Sequence, residues 1–337
     1  MEMTVLGKTG LTVSRVGFGG IPIQRITKEE APALLRAVYD AGINYIDSAR
    51  MYTVSEEYIG YALEKEGLRE QFILASKSMA RTKEDMARDI GISLENLRTD
   101  VIDLYQIHNP NMAQLETVLA EGGALEALMD AKAAGKIRHI GLTAHSAEVF
   151  RRALELDFVE TVMFPYNIVE TQGDELIALC KEKNIGFIAM KPMAGGAIED
   201  GTLAMRFALA NPAVSIVIPG MYCAEEVQQN TAAAENMEPL TKAELDAIAS
   251  VRAQLGENFC RRCNYCAPCT VGISIPSVFL FAGYLQRYNL ADWAHDRYST
   301  LQVKASACID CGACEPRCPY NLPIRQMLKR AAADFGE

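Results

Sequence analysis

The sequence predicts an α/β protein: a closed (β/α)8 barrel of the TIM type, followed by a small, mostly helical, cysteine-rich C-terminal domain. Three observations carry this. Eight short apolar runs of strand character alternate with helical stretches up to about residue 235. Near-continuous apolar strands joined by helices require a parallel sheet covered on its outside, and eight such units close into a barrel. Beyond them, eight of the ten cysteines fall in two tight groups between Cys260 and Cys318. A doubly wound open sheet is the alternative, but no GxGxxG turn follows the first strand, as that fold's nucleotide site would need.

In chain order, TVLGKTGLTVS is expected to form a hairpin turning at Lys8-Thr9-Gly10 and plugging the barrel floor. The eight strands are read at RVGFGG (15–20), YIDSA (45–49), FILASK (72–77), VIDLYQIH (101–108), IRHIGLTAH (137–145), TVMFPYN (161–167), GFIAMKP (186–192) and AVSIVIPG (213–220). Between them, KEEAPALLRAVYDAG, SEEYIGYALEKEG, LEALMDAKAAGK and DELIALCKEKN repeat apolar residues at three- and four-residue intervals, and several close on glycine. PLTKAELDAIASVRAQLG opens on a threonine N-cap and reads as one more helix. Domains are expected at 1–240 and 241–337. The 38 residues between the cysteine groups, which hold the single tryptophan, Trp293, read as helical and are expected to wrap whatever the cysteines bind.

The 337 residues are half hydrophobic with a net charge of −10, which argues against a general nucleic-acid binder. The charge is uneven: from Cys260 onward nine Lys+Arg face six Asp+Glu, leaving 24 against 37 before it. No apolar stretch is long enough for membrane insertion, and the N-terminus lacks the pattern of a secretory signal. The expectation is a cytoplasmic protein, in which clustered cysteines act as metal ligands rather than disulfides.

In a βα barrel the chemistry sits at the C-terminal ends of the strands. Those ends offer Asp47 and Tyr52 after the second strand, Lys77 closing the third and His108 closing the fourth. A tyrosine with a pKa of about 10 transfers protons poorly near neutrality. A buried Lys77 ammonium beside it would favour the phenolate, Asp47 would hold Lys77 charged, and His108 would orient a carbonyl oxygen. Such a set suits proton transfer on oxygen while a hydride moves at the adjacent carbon. Each residue alone also fits a structural role, so the weight lies on all four together. Lys191 with Gly195-Gly196, after the seventh strand, suits a pyrophosphate or an acidic substrate, and equally an ordinary surface turn.

The cysteine groups are CRRCNYCAPC, giving Cys260, Cys263, Cys266 and Cys269, and CIDCGACEPRCP, giving Cys308, Cys311, Cys314 and Cys318 before Pro319. The second matches the bacterial ferredoxin run, in which three thiolates wrap one cubane and the fourth ligates its neighbour. By that pattern Cys260, Cys263, Cys266 and Cys318 hold one 4Fe–4S cluster, and Cys308, Cys311, Cys314 and Cys269 the other. The first group has one residue fewer before its last cysteine, and Thr270 where proline is usual. Zinc competes as a thiolate-bound metal, but paired CxxC knuckles set well apart suit it better. Cys180 and Cys223 read as a buried thiol and a loop thiol.

Through NYIDSARMYTVSEEYIG, ILASK, DLYQIH and IPGMYCAEEVQQN, residues 1–235 resemble the aldo-keto reductase superfamily. The resemblance implies a catalytic tetrad of Asp47, Tyr52, Lys77 and His108, with Tyr52 as general acid, a nicotinamide dinucleotide as hydride donor and a small carbonyl or alcohol as substrate. It implies that residues 218–230 bind the adenosine end of the cofactor, with Gly220 allowing close approach and Glu226 and Asn230 reaching the adenine. Members that prefer NADPH place Lys or Arg there; Met221, Tyr222 and Cys223 instead favour NADH. Thr143-Ala144 stands where Ser-Asn is common, Met163 where glutamine holds the nicotinamide amide, and Met190 where an aromatic ring stacks on it. The tail resembles the dicluster ferredoxin-like domain fused behind some of these barrels, implying two 4Fe–4S clusters and a ferredoxin or other redox partner. The altered nicotinamide cradle leaves an alternative: an electron carrier or partner-docking protein whose barrel no longer uses the dinucleotide, its clusters redox-active or structural.

Overall fold

A computed structural model of the chain describes all residues except 236–237, 256–258, 263, 288–289 and 319. The contacts gather into two compact units. One holds Met1–Asn167, Thr171–Pro192 and Asp200–Leu240; the other holds Thr241–Glu337 together with the short segments Ile168–Glu170 and Met193–Glu199.

In the first unit a hairpin comes first: β1 (Met3–Val5) pairs antiparallel with β2 (Thr12–Ser14), Met3 opposite Ser14. Eight parallel strands follow: β3 (Phe18–Gly19), β4 (Tyr45–Asp47), β5 (Ile73–Ser78), β6 (Ile102–His108), β7 (Ile137–Thr143), β8 (Thr161–Pro165), β9 (Gly186–Met190) and β10 (Ile216–Ile218). They pair in chain order, and parallel bridges Val16–Val217 and Gly19–Gly220 join the last strand to the first, so the sheet is closed. The paired spans are shorter than the apolar runs at both ends of the series, because residues flanking β3 and β10 reach the sheet only through these single bridges.

The helices between strands are α1 (Ala31–Asp40), α2 (Ser55–Glu66), α3 (Lys83–Asn96), α4 (Met112–Leu119), α5 (Ala124–Ala133), α6 (Ala147–Ala153), α7 (Asp174–Glu182) and α8 (Gly201–Leu209), and α9 (Ala224–Glu235) follows the last strand. Their ends follow local chemistry. Thr82 caps α3 by accepting from Asp85 N–H, Asn111 and Gln114 form a capping box on α4, and Gly67 closes α2 at φ 65°. The barrel interior packs Tyr45, Ala75, Leu104, Met163, Ile188 and Ile216 around Leu6 and Val13 of the hairpin. The hairpin therefore fills the barrel floor, and Gly7 makes this possible: at φ 52° it lies so close to Gly186 that a Cβ would come within 2.2 Å of the Gly186 nitrogen.

The second unit contains α10 (Lys242–Leu255), α11 (Ile275–Gln286), α12 (Ala291–Ser299) and α13 (Ile324–Asp334). Tyr284 stacks on Trp293 at 4.5 Å, and Tyr298 on Phe335 at 3.8 Å, fastening α12 to its neighbours. The segment between the cysteine groups is helical over 275–286 and 291–299, with a 3-10 turn at Ala305–Ala307. The two short outlying segments belong here through Arg261 Nε, which donates to Val169 O at 2.7 Å, the Arg262–Glu170 ion pair at 2.6 Å, and Arg287 Nε, which donates to Gly195 O at 3.0 Å.

Candidate functional site

Asp47 ends β4, Lys77 lies near the end of β5 and His108 ends β6, so the pairing of three neighbouring strands brings all three to one end of the barrel. Tyr52 sits in the loop after β4, its N–H held by Ala49 O at 3.0 Å. Lys77 Nζ donates to Asp47 Oδ2 at 2.5 Å and to Ser48 O at 2.8 Å, and lies 4.8 Å from the centre of the Tyr52 ring. The Tyr52 and His108 rings meet edge to face at 6.1 Å. All four expected residues thus share one cluster, and none is more than 9% exposed.

Burial governs the electrostatics. It pushes the Asp47 carboxyl up, against Lys77 and the Gln106 amide, and pushes the Lys77 ammonium down, against Asp47. The short contact, the Ser48 carbonyl and the Gln106 Nε2 donor at 3.3 Å replace the lost water. Burial, then Lys77, Arg81 and Lys191, hold His108 well below the usual imidazole range. His108 is therefore neutral at pH 7, and its ring can give a hydrogen bond without carrying charge.

Sequence reasoning missed several supporting residues. Gln106 faces Asp47 because the sheet register pairs Lys77 with Gln106. Arg81 Nη2 donates to His108 O at 2.8 Å, and burial lowers its guanidinium to about 10. Glu56, 1% exposed, pairs with Arg50 and accepts from Ser76 Oγ at 2.6 Å, tying the Tyr52 loop to β5. No run of residues signals these; only their polarity within apolar or helical stretches hints at them.

The expected cofactor positions are distributed around the same strand ends. Thr143 ends β7, and its Oγ1 accepts from Asn109 N–H at 2.9 Å. Met163 is a core residue, 1% exposed, and Met190 packs against that core. Lys191 adopts φ 58° and its carbonyl accepts from Asn167 Nδ2 at 2.9 Å. A Cβ on Gly220 would lie 2.6 Å from Pro22 Cγ, so the close packing here is against the turn after β3. Glu226 Oε2 accepts from Tyr222 N–H at 2.9 Å and burial raises its carboxyl, while Asn230 is 6% exposed. Segment 218–230 carries no cation of its own, yet Arg25 lays its guanidinium over the Tyr222 ring at 5.0 Å. This cation, brought by barrel closure from the turn Ile21–Arg25, is invisible in the segment itself.

In the second unit two recesses are lined by thiols. The first has Cys260, Cys266 and Cys318; the second has Cys269, Cys308, Cys311 and Cys314. Cys263 lies outside the described residues, as does Pro319. Each group uses left-handed backbone at the same two places: Arg262 and Asn264 in one, Asp310 and Gly312 in the other, with φ between 57° and 73°. Each recess draws thiols from both groups, and soft thiolates ranged round a volume suit an iron–sulfur core. Among the described residues no three Cys, His, Asp or Glu side chains close on one point as a single ion requires. No described helix is long and apolar enough to cross a membrane.

Residues 15–203 match the aldo/keto reductase family, and residues 259–323 match a 4Fe-4S dicluster domain. The chain is 28% identical to L-galactose dehydrogenase of Arabidopsis thaliana over 304 residues, covering 74% of this chain and 94% of that protein. It is 26% identical to the uncharacterized oxidoreductase YqkF of Bacillus subtilis, covering 74% and 96%. Among solved structures, the holo form of aldo-keto reductase AKR11C1 from Bacillus halodurans superposes with a TM-score of 0.65 at 26% identity, covering 74% of this chain and 96% of that one. The chain belongs to the aldo/keto reductase family and is an oxidoreductase of that family with a C-terminal 4Fe-4S dicluster domain.

Proposed function

We propose that the barrel moves hydride between a nicotinamide dinucleotide and a small carbonyl or alcohol, with Tyr52 giving or taking the proton on oxygen. The observation that carries this reading is the buried chain running from Gln106 through Asp47 and Lys77 to the Tyr52 ring, with His108 across from it. The dinucleotide supplies the hydride when bound. Lys77, kept charged by Asp47, favours the phenolate form of Tyr52 as its proton leaves. Neutral His108 steadies the substrate oxygen without competing as an acid. Thr143, Met190, Lys191, Gly220, Glu226 and Asn230 are the proposed cofactor contacts. NADH is the proposed donor: segment 218–230 offers the carboxylate of Glu226, and the cation beside it, Arg25, is spread over Tyr222.

For the tail, the proposal is two 4Fe–4S clusters, one on Cys260, Cys263, Cys266 and Cys318, the other on Cys269, Cys308, Cys311 and Cys314. The thiols lining each recess and the repeated left-handed positions support this pairing. Cysteines grouped as metal ligands favour a cytoplasmic setting, and a ferredoxin or similar one-electron carrier is the proposed redox partner. Domain limits of 1–240 and 241–337 go with this reading. The alternative, a barrel that has given up the dinucleotide, is favoured by Met163, which fills the core where a glutamine would hold the nicotinamide amide. Turnover of NADH with a panel of aldehydes and ketones, before and after Tyr52→Phe, tests the catalytic part. Loss of turnover is expected, and undiminished turnover refutes the role of Tyr52.

A further inference from the structure

Thr270 follows Cys269 and occupies the position where proline usually ends such a cysteine run. Its Oγ1 lies 3.4 Å from Cys311 Sγ, a sulfur of the other cysteine group. Cys311 is a thiol here and stands for the iron-bound thiolate of the loaded protein. A thiolate has no proton to give, so the hydroxyl must be the donor.

The approach is held in place. Arg317 donates through Nε to Ala313 O at 2.8 Å and through Nη2 to Pro268 O at 3.0 Å. It thereby ties the residue before Cys314 to the residue before Cys269 across the rim of the second recess. Cys311 is exposed there, and Ile309 beside it is 60% exposed. The other described cysteines of the two recesses match: Cys266 and Cys318 in the first and Cys314 in the second are each 8% exposed, and Cys260, Cys269 and Cys308 are half-buried, so Cys311 is the one described cysteine that meets water freely. Arg261 lines the first recess, whereas both Arg317 and Arg325 line the second, so the positive charge beside the second is also the greater.

Reducing a cluster adds negative charge to it. A donor on a ligand sulfur and water at the rim both stabilise the added charge, and so raise the potential, whereas enclosure lowers it. We infer that Thr270, by donating to Cys311 Sγ, raises the reduction potential of the cluster in the second recess, making it the place where an electron settles and leaves. With both clusters bound, such a transfer would move one electron from the first to the second, oxidising one as the other is reduced, with no bond made or broken. This rests on the two-cluster reading above.

The test is an anaerobic redox titration followed by EPR, on protein of measured iron and sulfide content, for the parent chain, Thr270→Val and Thr270→Ser. Two one-electron transitions are expected in the parent. Thr270→Val should lower the higher one and leave the lower in place. The reduced-to-oxidised ratio at fixed potential then falls by up to about tenfold, 59 mV for one electron. Thr270→Ser should restore it, and Thr270→Ala replaces the valine variant if valine lowers cluster content. A higher transition that stays put, or a lower one that moves instead, overturns the inference. Iron content for fewer than two clusters overturns the two-cluster reading itself, and this inference with it.

Discussion

Replacing Lys77 with methionine removes the cation at the centre of the site while keeping much of its volume. The ammonium lies 4.8 Å from the Tyr52 ring centre. At that separation and an effective dielectric of about 20, its attraction for a phenolate is roughly 3 kcal/mol, about two pK units. Turnover should therefore fall by about two orders of magnitude at neutral pH, and the limb of the rate profile set by Tyr52 should move to higher pH. Stability also falls, because Asp47, whose side chain is 4% exposed, loses its partner. Breaking a buried pair costs about 3–5 kcal/mol; the carboxyl is already raised by burial and can take a proton, which favours the lower end. At about 2–4 °C per kcal/mol for a domain of this size, melting should drop by roughly 6–12 °C. Asp47→Asn combined with Lys77→Met should recover part of that loss, since no buried charge remains, yet stay inactive. The assays are steady-state rates across pH and thermal unfolding of all three proteins. Turnover of the methionine variant within about threefold of the parent would refute the electrostatic reasoning. A double variant no more stable than the single one would refute the ion pair.

Burial, with Lys77, Arg81 and Lys191, holds His108 well below its usual range. Below about pH 6.5 the unfolded chain therefore binds the extra proton and the folded one does not. Stability should fall as pH drops through that window, by at most about 1.4 kcal/mol per pH unit from this group. His108→Asn should flatten the slope in urea unfolding between about pH 6.5 and 5, and an unchanged slope would count against the buried neutral imidazole. A Cβ on Gly60 would lie 2.1 Å from Asn96 O, while one on Gly91 would meet nothing within 4 Å. Gly60→Ala should lower the unfolding free energy measured in denaturant by about 1–3 kcal/mol, whereas Gly91→Ala, within α3, should raise it by about 0.5–1 kcal/mol; equal effects would contradict the packing of α2 on α3. Anaerobic iron and sulfide analysis should return about eight irons per chain, and four irons, or zinc, would overturn the proposed cysteine pairing.

The barrel was legible because its helices repeat apolar residues every three or four positions while its strands, buried on both faces, read as unbroken runs: YID, ILASKS and IDLYQIH are buried along their whole length or nearly so. For the same reason Asp47, Lys77 and His108 at three strand ends, with Tyr52 in the loop after the first of them, are legible from the sequence, since a parallel barrel sends consecutive strand ends to one face. What stayed hidden depends on register or closure. Gln106 meets Asp47 only through the β5–β6 pairing. Arg25 reaches Tyr222 only because β10 closes on β3. That cation bears on segment 218–230 although the segment contains none. In the tail the spacing names the proposed ligands, but the approach of Thr270 to Cys311 joins residues 41 apart, and no local pattern encodes it.

The most direct test of the central claim is titration of the anaerobically purified holoprotein with NADH and with NADPH, followed by nicotinamide fluorescence. Saturable binding well below millimolar, tighter for NADH, is the predicted result. No binding of either dinucleotide up to millimolar concentration would contradict the hydride-transfer account and leave the electron-carrier alternative in its place.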